Sequence, residues 1–155
     1  MLNNKKVLIG IPCLSLGGTE TQTLLLTRAL LEWGCDVEIV AYFEWRTQVV
    51  EEFRKTGAKV TLLNWHRSIR KISFILSLNN ILQDKEPDMV HIQYMTPGLL
   101  PIIAAKLAKV PLIFATVHQP STPYGIFARN LLKFGSQLTN SFVCVSKAAE
   151  KSWFG

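Results

Sequence analysis

Six short apolar runs alternate with amphipathic segments along the whole chain, and this alternation constrains the fold more than any other feature. The runs Lys6–Pro12, Val37–Phe43, Lys59–Leu63, Met89–Gln93, Leu112–Thr116 and Phe142–Val145 are mostly β-branched or aromatic and bounded by turn residues, so they read as strands. Between them, Glu20–Trp33, Thr47–Thr56, Ser68–Asp84, Gly98–Ala108 and Gly125–Phe134 read as helices, and a last helix begins near Lys147. Gly34 and Gly57 stand where helices end in the left-handed conformation, and Pro87 and Pro111 precede strands. Thr19 and Gln22 fit a capping box, with Thr19 as the N-cap. Such alternation implies parallel strands joined by right-handed crossovers. The expected fold is therefore α/β: one Rossmann-like open parallel sheet with helices on both faces. Only 18% of the 155 residues are charged, which suits strands buried on both faces.

Open sheets of this kind bind ligands beyond the carboxyl ends of their strands, at a switch point. That ranks the loops at 13–19, 94–98, 117–124 and from Ser146 onward. The first holds Gly17-Gly18-Thr19-Glu20 between a strand and a helix. Helix N-termini present unpaired N–H groups and a positive dipole end, and paired glycines let a phosphate approach the backbone. The same glycines also fit a plain tight turn. A dinucleotide fingerprint would need a third glycine, absent here, and an acid closing the second strand, whereas Glu44 lies past it. No Walker A lysine follows. Glu20, on the first helical turn, either complements the helix dipole or meets a hydroxylated ligand. His118 follows the fifth strand and is placed for a proton or hydroxyl contact. On the fourth strand, Gln93 is near enough to the carboxyl end to reach the crevice, while His91 lies deeper and reads as a hydrogen-bonded core residue. Tyr94, Met95 and Thr96 begin the next loop and are candidates to line an acceptor pocket.

Other chemistries find no support. Ser15, Ser121 and Ser146 lack a nucleophile-elbow context, and no paired carboxylates sit at predicted strand ends. Cys13, Cys35 and Cys144 have no metal-ligand spacing and read as small buried residues in a reducing, cytoplasmic setting. The net charge of +6 admits an anionic partner, but basic residues are not interleaved with stacking aromatics, which argues against nucleic acid. Residues 1–12 lack the core of a signal peptide, and no apolar run of ~18 residues is present to span a membrane. Trp65–Lys71 leads into an amphipathic helix with basic residues at one end. It reads as a surface helix packed on the sheet, or as a peripheral patch for anionic lipid at the inner face of the membrane.

Four segments in register over most of the chain resemble a family: Gly17-Gly18-Thr19-Glu20 after the first strand, Pro87-Asp88-Met89-Val90-His91-Ile92-Gln93, Thr116-Val117-His118-Gln119, and Cys144-Val145-Ser146-Lys147-Ala148-Ala149. Together they are similar to the N-terminal, acceptor-side half of a GT-B glycosyltransferase of the group 1, GT4-like type. The resemblance implies a retaining transfer from a nucleotide-diphosphate sugar to a hydroxyl acceptor, in polysaccharide or glycolipid synthesis, without a metal ion or other cofactor. It implies that Gly17 and Gly18 approach the donor diphosphate and that His118 orients the transferred sugar. Glu20, Gln93, Tyr94, Gln119, Ser146 and Lys147 are the expected acceptor or sugar contacts. It also implies a second domain carrying most of the donor pocket, with a basic pair and an E-x7-E motif that these residues do not contain. Residues 1–155 are thus expected to be one domain cut before its last strand and inactive alone, completed in cis or in trans. The alternatives are a non-catalytic binding module and one chain of a split transferase.

Overall fold

Apolar side chains on both sides of nearly every strand force a sheet covered on two faces, and the computed structural model, describing residues 4–95, 98–122 and 124–155, has that form. Strands β1 (Lys6–Ile11), β2 (Asp36–Ala41), β3 (Lys59–Leu62), β4 (Met89–Tyr94), β5 (Leu112–Val117) and β6 (Ser141–Cys144) pair in parallel, in the order β3-β2-β1-β4-β5-β6. Helices α1 (Gly18–Glu32), α2 (Thr47–Lys55), α3 (Lys71–Lys85), α4 (Leu100–Leu107), α5 (Ile126–Gln137) and α6 (Lys147–Phe154) alternate with them. The order reverses between β1 and β4, which pair from Val7↔Met89 to Gly10↔Ile92 and open a crevice at their carboxyl ends.

The period of two along β1 divides the core. Val7, Ile9 and Ile11 pack with Leu30, Val50 and Phe53 under α1 and α2, whereas Leu8 joins Phe74, Leu78, Leu82 and Ile102 under α3 and α4. Gly10 faces this second layer, and it is glycine because Tyr42 lies over it: a Cβ would fall within the shell of the Tyr42 hydroxyl and 3.1 Å from Cζ.

Several element ends depart from expectation for local reasons. Helix α1 starts at Gly18 with Gly17 as N-cap, so the capping box at Thr19 does not form. The Gly17 carbonyl already accepts from the Thr21 N–H (3.1 Å) and Oγ1 (3.0 Å), and the Thr19 hydroxyl turns to the Met95 sulfur at 3.7 Å. Helix α4 begins at Leu100 because Gly98 is left-handed (φ 68°). Helix α5 runs through Gly135 to Gln137. That glycine is a close-packing point, since a Cβ there would lie 2.8 Å from Leu99 Cδ1. Helix α3 begins at Lys71, and residues 66–70 form a turn in which His66 Nδ1 accepts from the Ser68 N–H at 3.2 Å. Trp65 packs inward, stacked on Tyr42 and edge-on to Phe74, while Arg67 forms a two-point pair with Glu44 at 2.5 and 2.7 Å over the Phe43 ring. Two of the groups expected to face a lipid surface are thus engaged within the chain. Strand β2 begins one residue earlier than expected and passes into Tyr42 and Phe43, whose N–H groups still bond to Ile11 and Pro12 carbonyls.

Candidate functional site

The crevice beyond β1, β4 and β5 collects side chains from three distant segments. From the first, the loop after β1 folds around the Glu20 carboxylate, which is 8% exposed. Its Oε1 accepts from the Ser15 N–H at 3.1 Å and from the Ser15 hydroxyl at 2.9 Å, and Cys13 Sγ lies 3.7 Å away. A glutamate at the third helical position reaching back to a backbone N–H is the reach-back half of a capping box, displaced upstream. Gly17 makes room for it, because a Cβ there would sit 2.7 Å from Glu20 Oε2. Around the Gly18 Cβ position there is open space to 4 Å, so the N-terminal turn of α1 is bare on that side.

The second and third segments meet at a hydrogen bond. Gln93, 3% exposed near the end of β4, accepts at Oε1 from His118 Nε2 at 2.5 Å. Burial pushes the His118 imidazole below its ordinary value, and the nearby Glu20 carboxylate partly offsets this. A neutral ring that donates from Nε2 keeps Nδ1 as an acceptor, suited to a ligand hydroxyl. One step down the same face, His91 Nε2 meets Thr116 Oγ1 at 2.7 Å, as its reading as a core residue requires. Burial, with a smaller contribution from the His118 charge, pushes His91 down to about 4.

The structure therefore brings Gly17, Gly18, Glu20, Gln93 and His118 together. Tyr94 goes elsewhere: strand alternation turns its ring to the opposite face, edge-on to Phe142 at 5.5 Å. Met95 stays at the crevice through Thr19, and Thr96 lies outside the described residues. Gln119 is exposed; its side-chain oxygen accepts from the Tyr124 hydroxyl at 3.3 Å and its carbonyl from Trp153 Nε1 at 2.6 Å. Ser146 caps α6 by accepting from the Ala149 N–H at 3.1 Å, and Lys147 is exposed on the first turn. Sequence reasoning did not single out Thr116 beneath the histidines, or the ties from Ser121 to Ser152 (2.8 Å from N–H to Oγ) that fix the 118–122 loop to α6. A serine four residues past a strand end carries no signal of a partner 31 positions away. Among the described residues no cluster of three metal-ligating side chains forms.

His91 gives a pH test of the layer beneath the site. Its folded-state value lies below the unfolded one, so the unfolded chain binds the extra proton first. The stability this neutral ring contributes is full above about pH 6.5 and is lost as pH falls toward 4, up to ~3 kcal/mol. Denaturant midpoints measured from pH 7.5 to 4 should fall more steeply for the native chain than for His91→Gln.

With the geometry in place, comparison with known proteins identifies the fold's relatives. The solved structures of a glycosyltransferase from Rickettsia africae (17% identity, TM-score 0.69, 96% of this chain and 38% of that one), of MurG from Acinetobacter baumannii (14%, 0.64, 93% and 42%) and of UDP-GlcNAc 2-epimerase from Neisseria meningitidis bound to UDP-GlcNAc (13%, 0.58, 96% and 41%) share it. This chain spans about two fifths of the length of each. No curated protein matches the sequence. The profile of Glycosyltransferase Family 4 covers residues 16–153, from the glycine loop to the buried Trp153, and the chain, an N-terminal GT-B domain in fold, belongs to that family.

Proposed function

We propose that this domain is the acceptor-side half of a retaining glycosyltransferase that moves a sugar from a nucleoside-diphosphate donor to a hydroxyl group of a polysaccharide or glycolipid intermediate. One observation carries the reading: Gln93 and His118 converge beside the bare Gly17–Gly18 turn of α1, at the sheet's switch point. The helix N-terminus offers N–H groups to a diphosphate. The neutral His118 offers Nδ1 to a sugar hydroxyl, and the brace between Glu20 and Ser15 holds the glycine turn open. No metal is assigned a part in this. We assign Lys147 and Gln119, both exposed, to the acceptor. Positioning and charge stabilisation require a second wall to the crevice, so a donor-binding domain, in cis or in trans, completes the site. We place the protein in the cytoplasm.

The test is a donor screen. The full-length protein is incubated with UDP- and GDP-sugars and a hydroxyl acceptor, and release of nucleoside diphosphate is followed with the product's anomeric configuration. Acceptor-dependent release with retained configuration is expected. Conversion of the nucleotide sugar to an epimer without release, the activity named for the Neisseria relative, would overturn the reading. So would a full-length protein that binds donor without turnover, which would make the domain a binding module.

A further inference from the structure

His118 is pinned from both directions along the chain. Upstream, Val117 pairs in the sheet with Tyr94 and Cys144. Downstream, the last turn of α6 takes over. Gln119 precedes Pro120, which biases it to extended backbone and brings no N–H of its own. The Gln119 carbonyl accepts from Trp153 Nε1 at 2.6 Å. Trp153 is buried, and a buried indole has one N–H to satisfy. Two residues on, Ser121 is buried as well. Its N–H donates to Ser152 Oγ at 2.8 Å, and its Oγ lies 2.6 Å from both the Ser152 carbonyl and Ser152 Oγ. With one proton on each hydroxyl, all three contacts are satisfied when Ser121 donates to the carbonyl and Ser152 donates to Ser121 Oγ. That carbonyl belongs to the end of α6, where helix carbonyls lack partners within the helix.

The tether runs into the core and not to a loose surface group. Trp153 is seated with Val117 and Leu132, and the Tyr124 ring lies over it with centroids 5.5 Å apart. Tyr124 also closes the loop on itself, its N–H donating to the Ser121 carbonyl at 2.7 Å. Between these fixed points, the His118 ring meets Gln93. A misplacement of about 1 Å at a reacting centre can cost about 10²-fold in rate, so a side chain that fixes the backbone beside such a group acts on the reaction without touching the ligand.

We propose that Trp153 and Ser152 are positioning residues which, through Gln119 and Ser121, hold the His118 imidazole against Gln93 in the crevice. The consequence for turnover rests on the transferase reading; the positioning does not, and the test reads the two separately. The His118 ring signal of the full-length protein, identified by its loss in His118→Gln, is followed by NMR through the histidine titration range. Glu20 and His91 act on this ring electrostatically and Gln93 bonds to it, and all three stay in place in the variants. Burial holds the native ring below the ordinary histidine value. Trp153→Phe keeps an aromatic ring and loses the N–H, and Ser152→Ala leaves the buried Ser121 N–H without its acceptor. Each should release the loop and raise the His118 midpoint by at least about 0.5. Leu132→Val loosens the same apolar cluster but spares both ties, and should leave the midpoint in place. In turnover, Trp153→Phe and Ser152→Ala should each lower kcat about tenfold with little change in the donor KM. In the His118→Ala background, Trp153→Phe should cost nothing further. A midpoint unmoved by both Trp153→Phe and Ser152→Ala overturns the proposal, as does one that Leu132→Val moves equally. So does an undiminished loss from Trp153→Phe in the His118→Ala background. A raised midpoint in a protein without turnover upholds the positioning and removes only the transferase reading.

Discussion

Gly10→Ala is expected to destabilise the domain by at least ~3 kcal/mol, because the added methyl has no way out. It would collide with the Tyr42 hydroxyl, and Tyr42 cannot retreat: its ring is 1% exposed, stacked on Trp65 and held edge-on by Phe43 and Phe74. The backbone cannot shift either, since β1 is paired on both sides. Tyr42→Phe removes the colliding oxygen but leaves Cζ at 3.1 Å, so Gly10→Ala/Tyr42→Phe should recover part of the loss and not all of it. Urea denaturation of the four proteins of this cycle gives the coupling. Additive losses would mean that the strand, not the tyrosine, rejects the methyl.

On the proposed transferase reading, in which the imidazole orients the sugar in the transition state, His118→Ala is expected to lower kcat of the full-length protein about 10²-fold or more, with a smaller change in the donor KM. On the same reading Gln93 acts through it. Its side chain is buried, and its Oε1 fixes the proton on His118 Nε2. Gln93→Leu leaves that N–H without its partner and should lower kcat about tenfold. Gln93→Glu is the more discriminating variant, because a carboxylate there favours the imidazolium. The acid limb of the kcat profile should then move to higher pH, the direction opposite to the effect of burial. A purely structural glutamine would leave that limb in place. Full turnover by His118→Ala would remove the histidine from the reaction.

The layout of the fold was legible because periodicity carries it. Each expected strand and helix exists, and the glycines at 34 and 57 take positive φ as their positions require. Errors fell where one residue served a purpose local patterns do not reveal. The fifth helix was expected to end at Phe134, but it continues through Gly135, which admits Leu99 and Ile102 against the helix. Thr19 looked like a cap, but an extended Gly17 starts the helix first. For the site, the switch-point rule located the loops, and the topology then decided which side chains meet. Gln93 and His118 were both visible as candidates, yet their bond joins positions 25 apart across β4 and β5. Tyr94 shows the converse: adjacent to Gln93 in sequence, it belongs to the other face. The turn of Glu20 back to Ser15 depends on a loop conformation that spacing alone does not encode.

The strand order also sets a timetable for synthesis. β1 is central, yet one of its two partners, β4, begins at Met89, paired with Val7. At ribosomal speeds of about 5–20 residues per second, one edge of β1 waits roughly 4–16 s for the residues that close it. During that interval a nascent chain displays Val7-Leu8-Ile9-Gly10-Ile11, five uncharged residues with an unsatisfied hydrogen-bonding edge, the kind of segment that associates with its like. Lys5 and Lys6, directly before it, supply the charge that keeps two such nascent edges apart, and only later do they bind Asp88 and the Lys85 carbonyl.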